Sequence, residues 1–339
     1  MRALIVNGSG VEGLEIKEIA EAATPGHGQV LVAPKAFSLN FRDLLIAENR
    51  YGAPLKEPQI AGSDLAGEVV AVGPGVTNLK AGDRVLNAPI TGWLAGEFKH
   101  ADGATFLGGG GVPGVFAERV VLPAAALVKY NSLSFAEAAT IPIAGLTAWS
   151  AVVTHGKLLP GGTVLCLGTG GVSVFAAQIA SAMGATVIVT SSSDEKLARV
   201  KQIVGREIGA INYRTTPDWQ KEVVRLTNRR GVDVVVETVG GDSLQKSLES
   251  VAYHGRICQV GLLAGIESTV SIPHLLTRQA QLIGIYMESV AELQRFLAFV
   301  ATVGLKPVID STFPFAKIKD AYNHMKVQGH LGKIVVEMG

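Results

Sequence analysis

The sequence holds only two cysteines in 339 residues, Cys166 and Cys258, so there is no disulfide framework to read. Both sit in apolar runs, VLCL and RICQV, and are expected as buried, inert thiols. No oxidising compartment is implied. Charge of one sign is also missing. Thirty Lys and Arg stand against 29 Asp and Glu, so no basic field points to nucleic acid or to an anionic membrane surface. Charged residues make up 17% against 48% hydrophobic ones, which excludes a disordered chain and a coiled coil. Long apolar runs are absent as well. The opening MRALIV breaks at Asn7-Gly8, too early for a signal peptide, so a first strand and a cytoplasmic protein are expected. The uncharged stretch from Leu158 to Ser193 is cut by Pro160-Gly161-Gly162 and by Gly168 to Gly171, leaving pieces too short to span a bilayer.

What is abundant is glycine, 40 residues with no collagen-like period, which signals tight turns and close backbone approaches. The length is a prior for two domains. In the first third, short β-branched runs separated by Gly, Pro and Asn predict strands at Gln29 to Ala36, Gly67 to Val72 and Phe116 to Leu122. An antiparallel β domain follows from them. The four glycines from Gly108 to Gly111 read as a mobile loop. Near Ser134 the texture changes, and Ser134-Phe135-Ala136-Glu137 fits a capping box. Strands are then predicted at 163–167, 186–190, 232–237, 256–260 and 282–287, with helices at 172–183 and 194–203 between the first of them. This alternation argues for an α/β doubly wound parallel sheet. The end of the chain reads as a helix at 290–303, an extended run at 306–309, a helix at 316–326 and a strand at 333–337.

Gly168-Thr169-Gly170-Gly171-Val172-Ser173 follows a predicted strand and opens a helix. There Gly168 permits the tight turn, Gly170 lets backbone amides approach a pyrophosphate, and the helix N-terminus adds partial positive charge. Dinucleotide binding is the reading. Ser173 replaces the third glycine of the fingerprint. An NAD site usually carries a carboxylate about 20 residues on, yet the second strand ends Val189-Thr190-Ser191-Ser192-Ser193. Ser191 and Ser192 suit a 2′-phosphate, Lys196 lies one turn into the next helix, and Tyr213-Arg214 follows the third strand. NADP is therefore expected over NAD. The alternative is that Ser193 merely caps a helix and Lys196 sits on its solvated face; Asp194 and Glu195 also count against a phosphate.

The segments GSDLAGEVVAVGPGV, LKAGDRV, AGLTAWSAV, VLCLGTGGVSVFAAQIASAMGATVIV, GVDVVVETVGG and FPFAKIKDAYNHMKVQGHLGKIVV, in this order, resemble the medium-chain dehydrogenase/reductase superfamily from the first strand to the last. That resemblance implies a GroES-like antiparallel β-barrel over residues 1–125 and 288–339. It also implies a Rossmann domain over 126–287, with the active site in the cleft between them. Zinc relatives ligate the metal with a Cys and a His, where this chain has Asn40 and Ser63, and their structural-zinc lobe holds four Cys, where 93–114 has none. Asn and Ser are poor zinc ligands, and none of the seven His forms a pair at metal spacing. No metal is expected. Asp64 would replace the acid behind the metal and bond backbone or Arg42, and Arg42 and Asp43 are read as structural contacts.

Without zinc the chain looks like the quinone oxidoreductase and enoyl reductase branch, to which NFRDLLIA with Tyr51 downstream is similar. A conjugated carbonyl accepts hydride at carbon, and hydrogen-bond donors stabilise the charge that reaches its oxygen. Asn40 is the expected donor, and Tyr51 or water the proton source; the plainer readings are a helix-capping Asn and a loop aromatic. The resemblance adds further cofactor contacts: Thr147 in a Gly145-Leu146-Thr147 turn, Val239, Val260, Gly261, Leu262 and Leu263, and Ile285, Tyr286 and Met287 closing the sixth strand. It also implies a homodimer through Leu282 to Met287. The function expected is NADPH-dependent reduction of a quinone or an α,β-unsaturated carbonyl. The alternatives are an alcohol or aldehyde dehydrogenase without zinc, and an NADPH-binding protein without physiological turnover.

Overall fold

The computed structural model describes every residue except Ala53 and Gly110, so Gly110 of the four-glycine run lies outside the described residues. The chain divides into one unit made of Met1–Leu146 with Glu288–Gly339 and a second made of Thr147–Met287.

The second unit is the Rossmann half. Six strands, Gly209–Asn212, Thr186–Ser191, Thr163–Leu167, Val232–Glu237, Val251–Gln259 and Gln281–Gly284, lie side by side in that order, and every neighbouring pair is parallel. The sheet starts in its middle and is wound outwards both ways, which puts a topological switch point beside Thr163–Leu167. The central strands TVLCL and VDVVVE are almost continuously apolar because helices cover both faces. Cys166 and Cys258 are buried in this sheet, and burial pushes both thiols up to about 12. The sixth strand stops at Gly284, short of the predicted Met287, whose φ of 57° bends the chain away.

The first unit contains a seven-stranded sheet, and Arg2–Val6, Glu15–Glu18 and Gln59–Ile60 form a smaller antiparallel sheet. The long strand Gln29–Ser38 anchors the larger one. It pairs antiparallel with Leu65–Val72, Val120–Pro123 and the closing strand Lys333–Glu337. Its own Phe37, with Phe116, Phe315 and Tyr322, fills the core. Residues 126–146, expected with the Rossmann half, belong to this unit, because Leu127–Lys129 adds antiparallel to Arg84–Asn87. The capping box forms as read. Glu137 N–H donates to Ser134 Oγ at 3.1 Å and Ser134 N–H to Glu137 Oε2 at 2.7 Å, starting the helix Phe135–Ala139. Caps of this kind contribute about 1 kcal/mol.

The expected turn at Gly145-Leu146-Thr147 is instead helical. A π segment Ile141–Gly145, an α turn Leu146–Trp149 and a second π segment Ser150–Thr154 run on continuously. A Cβ on Gly145 would stand 2.7 Å from the Phe296 ring, so close packing, not a chain reversal, requires this glycine. No helix among the described residues is long and apolar enough to cross a membrane.

Candidate functional site

In the Rossmann unit, the carboxyl ends of the parallel strands collect the residues expected to hold a dinucleotide. Gly168 follows the first strand with φ 77°, a conformation that strains any residue with a Cβ, and its N–H donates to Thr190 Oγ1 at 3.2 Å. Gly170 is the N-cap of the 12-residue helix Gly171–Ala182 and supplies no side-chain cap. The first amides of that helix, from Gly171 and Val172 on, are thus left for an anion. A Cβ built on Gly168 or Gly170 would meet nothing within 4 Å. An open, uncapped helix N-terminus of this kind fits a pyrophosphate. Thr169 is buried, and Ser173 sits against the strand it follows, its Oγ donating to Leu167 O at 2.6 Å. A serine here therefore keeps the close helix–strand approach that a third glycine gives.

At the tip of the second strand Ser191 is buried, and its Oγ accepts from Ser193 N–H at 3.2 Å, which leaves the Ser191 hydroxyl proton to donate elsewhere. Ser192 beside it is half-buried. Ser193 caps the next helix through Lys196 N–H at 3.3 Å, and Lys196 is half-buried in the first turn. Asp194 accepts from Asn212 Nδ2 at 2.9 Å. Tyr213 is 42% exposed and its N–H bonds Ser191 O, so it flanks the serines. Glu237, which sequence reasoning passed over, is fully buried and organises the fourth strand's end. Its Oε1 accepts from Val239 and Gly240 N–H, its Oε2 from Ser243 and Ser247 Oγ, and its backbone oxygen from Val260 and Gly261 N–H. The readable signal was a carboxylate closing the apolar run Val234 to Val236. Leu262 and Leu263 are exposed beyond it, Ile285 and Met287 are buried, and Tyr286 is exposed. Thr147 is buried in the helical run.

The barrel unit holds a polar cluster. Three neighbouring strands build it. Lys333–Glu337 pairs with Gln29–Ser38, and Phe37 pairs with Leu65, so Lys333, Asn40 and Asp64 come together at the strand ends. Asn87 fixes the Ser63–Leu65 backbone, accepting from Leu65 N–H at 2.9 Å and donating to Ser63 O at 2.8 Å. Gly62, at φ 84°, approaches Phe116 where a Cβ would overlap the ring at 2.2 Å. Asn40 is the N-cap of the helix Phe41–Ala47, and its N–H donates to Asp43 Oδ2 at 2.8 Å. The amide side chain does not cap. Nδ2 donates to Asp64 Oδ2 at 2.8 Å, and Oδ1 accepts from Lys333 Nζ at 2.7 Å. An ammonium facing Oδ1 fixes which end of the amide is the donor, and one Nδ2 hydrogen remains beyond the bond to Asp64.

Asp64 does not meet Arg42, contrary to expectation. It accepts from Ser38 Oγ and Asn40 and lies 3.9 Å from Lys333, while Arg42 Nη1 donates to Ser63 Oγ and to Leu107 O. The reason is topological: the closing strand delivers a lysine to the position behind Asn40. Burial pushes the Asp64 carboxyl up to about 6, Lys333, Asn40 and Ser38 opposing it and Asp43 adding to it. Burial likewise raises Asp43 and lowers Lys333. Tyr51 is half-buried against the barrel core, and the Arg42 guanidinium carbon stands 5.0 Å from its ring centre.

These residues do not fit a zinc ion. The ligand positions present an amide tied to an ammonium and a carboxylate, and a hydroxyl bonded to a guanidinium. Zinc takes thiolates, imidazoles and carboxylates, and two neighbouring cations oppose it. Among the described residues no three His, Cys, Asp or Glu group as metal ligands.

Two family models match the chain, an alcohol dehydrogenase GroES-like domain over residues 26–132 and a zinc-binding dehydrogenase over 171–302. A zinc-type alcohol dehydrogenase-like protein of Schizosaccharomyces pombe is 39% identical, covering 97% of this chain and 96% of its own. An acryloyl-coenzyme A reductase of Metallosphaera sedula is 28% identical, covering 99% of each. A solved NAD-dependent alcohol dehydrogenase is 35% identical with a TM-score of 0.88, and the match covers 100% of both chains.

Proposed function

The chain belongs to the medium-chain dehydrogenase/reductase superfamily, and from that premise we propose that it is a zinc-independent, NADPH-dependent reductase of quinones or α,β-unsaturated carbonyls. Its relatives include a protein named as an acryloyl-coenzyme A reductase and a solved structure named as an NAD-dependent alcohol dehydrogenase, which support an NAD(P)-dependent oxidoreductase. The observation that carries the finer reading is the occupation of the metal-ligand positions by Asn40 and Ser63, both committed to protein partners. Drawing a proton from an alcohol needs a Lewis acid or a strong base, and this cluster supplies neither. A conjugated carbonyl asks only for hydrogen-bond donors at an oxygen that becomes negative.

Bound NADPH supplies the hydride. Gly168, Gly170 and the first amides of the helix Gly171–Ala182 hold its pyrophosphate, and Ser191, Ser192, Lys196 and Tyr213 its 2′-phosphate. Thr147, Val239, Val260 to Leu263 and Ile285 to Met287 surround the remainder. In the barrel, the remaining Nδ2 hydrogen of Asn40 donates to the substrate oxygen, and the Tyr51 hydroxyl delivers the proton that completes the reduction. Lys333 keeps the Asn40 amide in its donating orientation. The enzyme works in the cytoplasm, a location that its two buried, unpaired cysteines suit. It dimerises through the edge strand Gln281–Gly284, where Leu282 is 47% exposed; Leu282→Asp then gives a monomer in sedimentation.

The test is the loss of NADPH absorbance with a quinone, an enone and an aldehyde, each with and without a chelator. Turnover of quinone or enone that survives chelation is expected. Turnover of the aldehyde alone, lost on chelation, overturns the reading. Ser191→Asp places a carboxylate where NAD sites have one and moves the preference from NADPH towards NADH, by roughly tenfold or more. An unchanged ratio removes Ser191 from the phosphate site.

A further inference from the structure

Arg42 is buried inside the barrel unit, with 6% of its side chain exposed. Its Nη1 donates to Ser63 Oγ and to Leu107 O, and the nearest carboxylate, Asp43, lies 4.0 Å away from that same nitrogen. Two rings lie against the guanidinium, Phe106 at 3.7 Å and Tyr51 at 5.0 Å. The group is therefore gripped on one edge and stacked.

The other edge is different. Nε and Nη2 are both buried and have no hydrogen-bond partner among the described residues. These are the two nitrogens whose N–H bonds run parallel and match a planar pair of oxygens, the arrangement in which arginine holds a carboxylate with two bonds. A buried donor left without an acceptor costs about 1–3 kcal/mol, and more when it is charged. A bare fork in a folded interior therefore asks what fills it. The chain beside Nη2 is Gly109, where an added Cβ would come within 2.8 Å of that nitrogen, with Ile46 Cδ1 at 3.7 Å. The acids around Arg42 and Lys333 are Asp43 and Asp64, and both are engaged elsewhere: Asp43 accepts from Asn40 N–H and Ser63 Oγ, and Asp64 from Ser38 Oγ and Asn40 Nδ2.

We propose that this free edge is an anion site, at which Arg42 binds a carboxylate carried by the substrate. Preferred substrates are then conjugated carbonyl compounds that bear a carboxylate, held beside Tyr51. The substrate half of this inference rests on the reductase reading; the anion site does not. The chemistry balances as a two-electron reduction. NADPH is oxidised as its hydride adds to the alkene carbon β to the ketone. A proton then adds to the neighbouring carbon, and the carboxylate is unchanged.

β-Acetylacrylate and its methyl ester test this, since they share one electrophile and differ in charge. Wild-type enzyme prefers the acid in kcat/KM. Arg42→Gln lowers that acid-over-ester preference by roughly 30-fold or more, as loss of a buried charge partner does. Arg42→Lys, which keeps the charge and loses the fork, falls between and serves if Arg42→Gln does not fold. A structural role lowers acid and ester together and leaves their ratio unchanged, which overturns the proposal, as does a wild type that prefers the ester. The saturated acid levulinate separates the two readings. If neither compound is reduced while levulinate raises the Tm of wild type and not of Arg42→Gln, the anion site stands and the reductase reading falls. No turnover and no stabilisation by levulinate overturns both.

Discussion

The phosphate turn of the Rossmann unit and the polar cluster of the barrel solve opposite problems. The turn is made of glycines and backbone amides, carries no formal charge, and leaves its donors open. The barrel cluster crowds Arg42, Lys333, Asp43 and Asp64 into a closed interior and ties them to the polar groups of Ser38, Asn40 and Ser63, with one edge of Arg42 left over. One region is cheap to fold because water keeps its unpaired groups satisfied until a ligand arrives. The other depends on every partner being present, because buried charges are costly to strand. Substitutions in the cluster therefore act on stability first, and substitutions in the turn on binding first.

The largest expected effect is in the cluster. Lys333→Met leaves the fully buried Asp64 without its cation and costs about 3–5 kcal/mol in urea unfolding, much of it recovered in Lys333→Met/Asp64→Leu. A single variant as stable as wild type breaks the contrast. Next comes pH. Asp64 is raised from 3.8 to about 6, so the folded state binds the extra proton between those values. Wild type loses stability relative to Asp64→Asn as pH rises through this window, by at most about 3 kcal/mol. A pH-independent difference between the two in melting experiments means that Asp64 is already ionised at low pH. The smallest effect on folding comes from the turn. Gly170→Asp places a carboxylate against the pyrophosphate site and raises the NADPH Kd roughly 30-fold by like-charge repulsion at a helix N-terminus, with Tm nearly unchanged. A large fall in Tm would mean that the turn too is structural.

The same contrast explains what was legible in the sequence. The turn is a contiguous motif between a strand and a helix, and in both units the elements at 163–167, 232–237, 290–303 and 333–337 lie where the apolar periodicity places them. The fold class and both halves of the chain were readable for that reason. The cluster was only half readable. Asn40 stood out at a metal-ligand position and Asp64 at that of the acid behind the metal, but their partner Lys333 is 293 residues from Asn40, and strand pairing alone brings it there. The free edge of Arg42 is an absence of contacts, which no local pattern encodes. Nor did the sequence show that residues 141–154 are helical, since Gly145-Leu146-Thr147 reads as a turn until the Phe296 ring accounts for the glycine.

The closing strand has a further consequence for how the protein is made. Asn40 and Asp64 lie in the part of the barrel that precedes the Rossmann half, yet they wait for a lysine translated after the whole of that half. Until that strand arrives, Ala36 to Ser38 offer a bare edge and a buried acid offers a reason to stay open. Cellular proteases sample both while they last. A chain broken off before Lys333 would thus carry its own mark for removal, and the ion pair serves as proof that translation has passed the point where the barrel can shut.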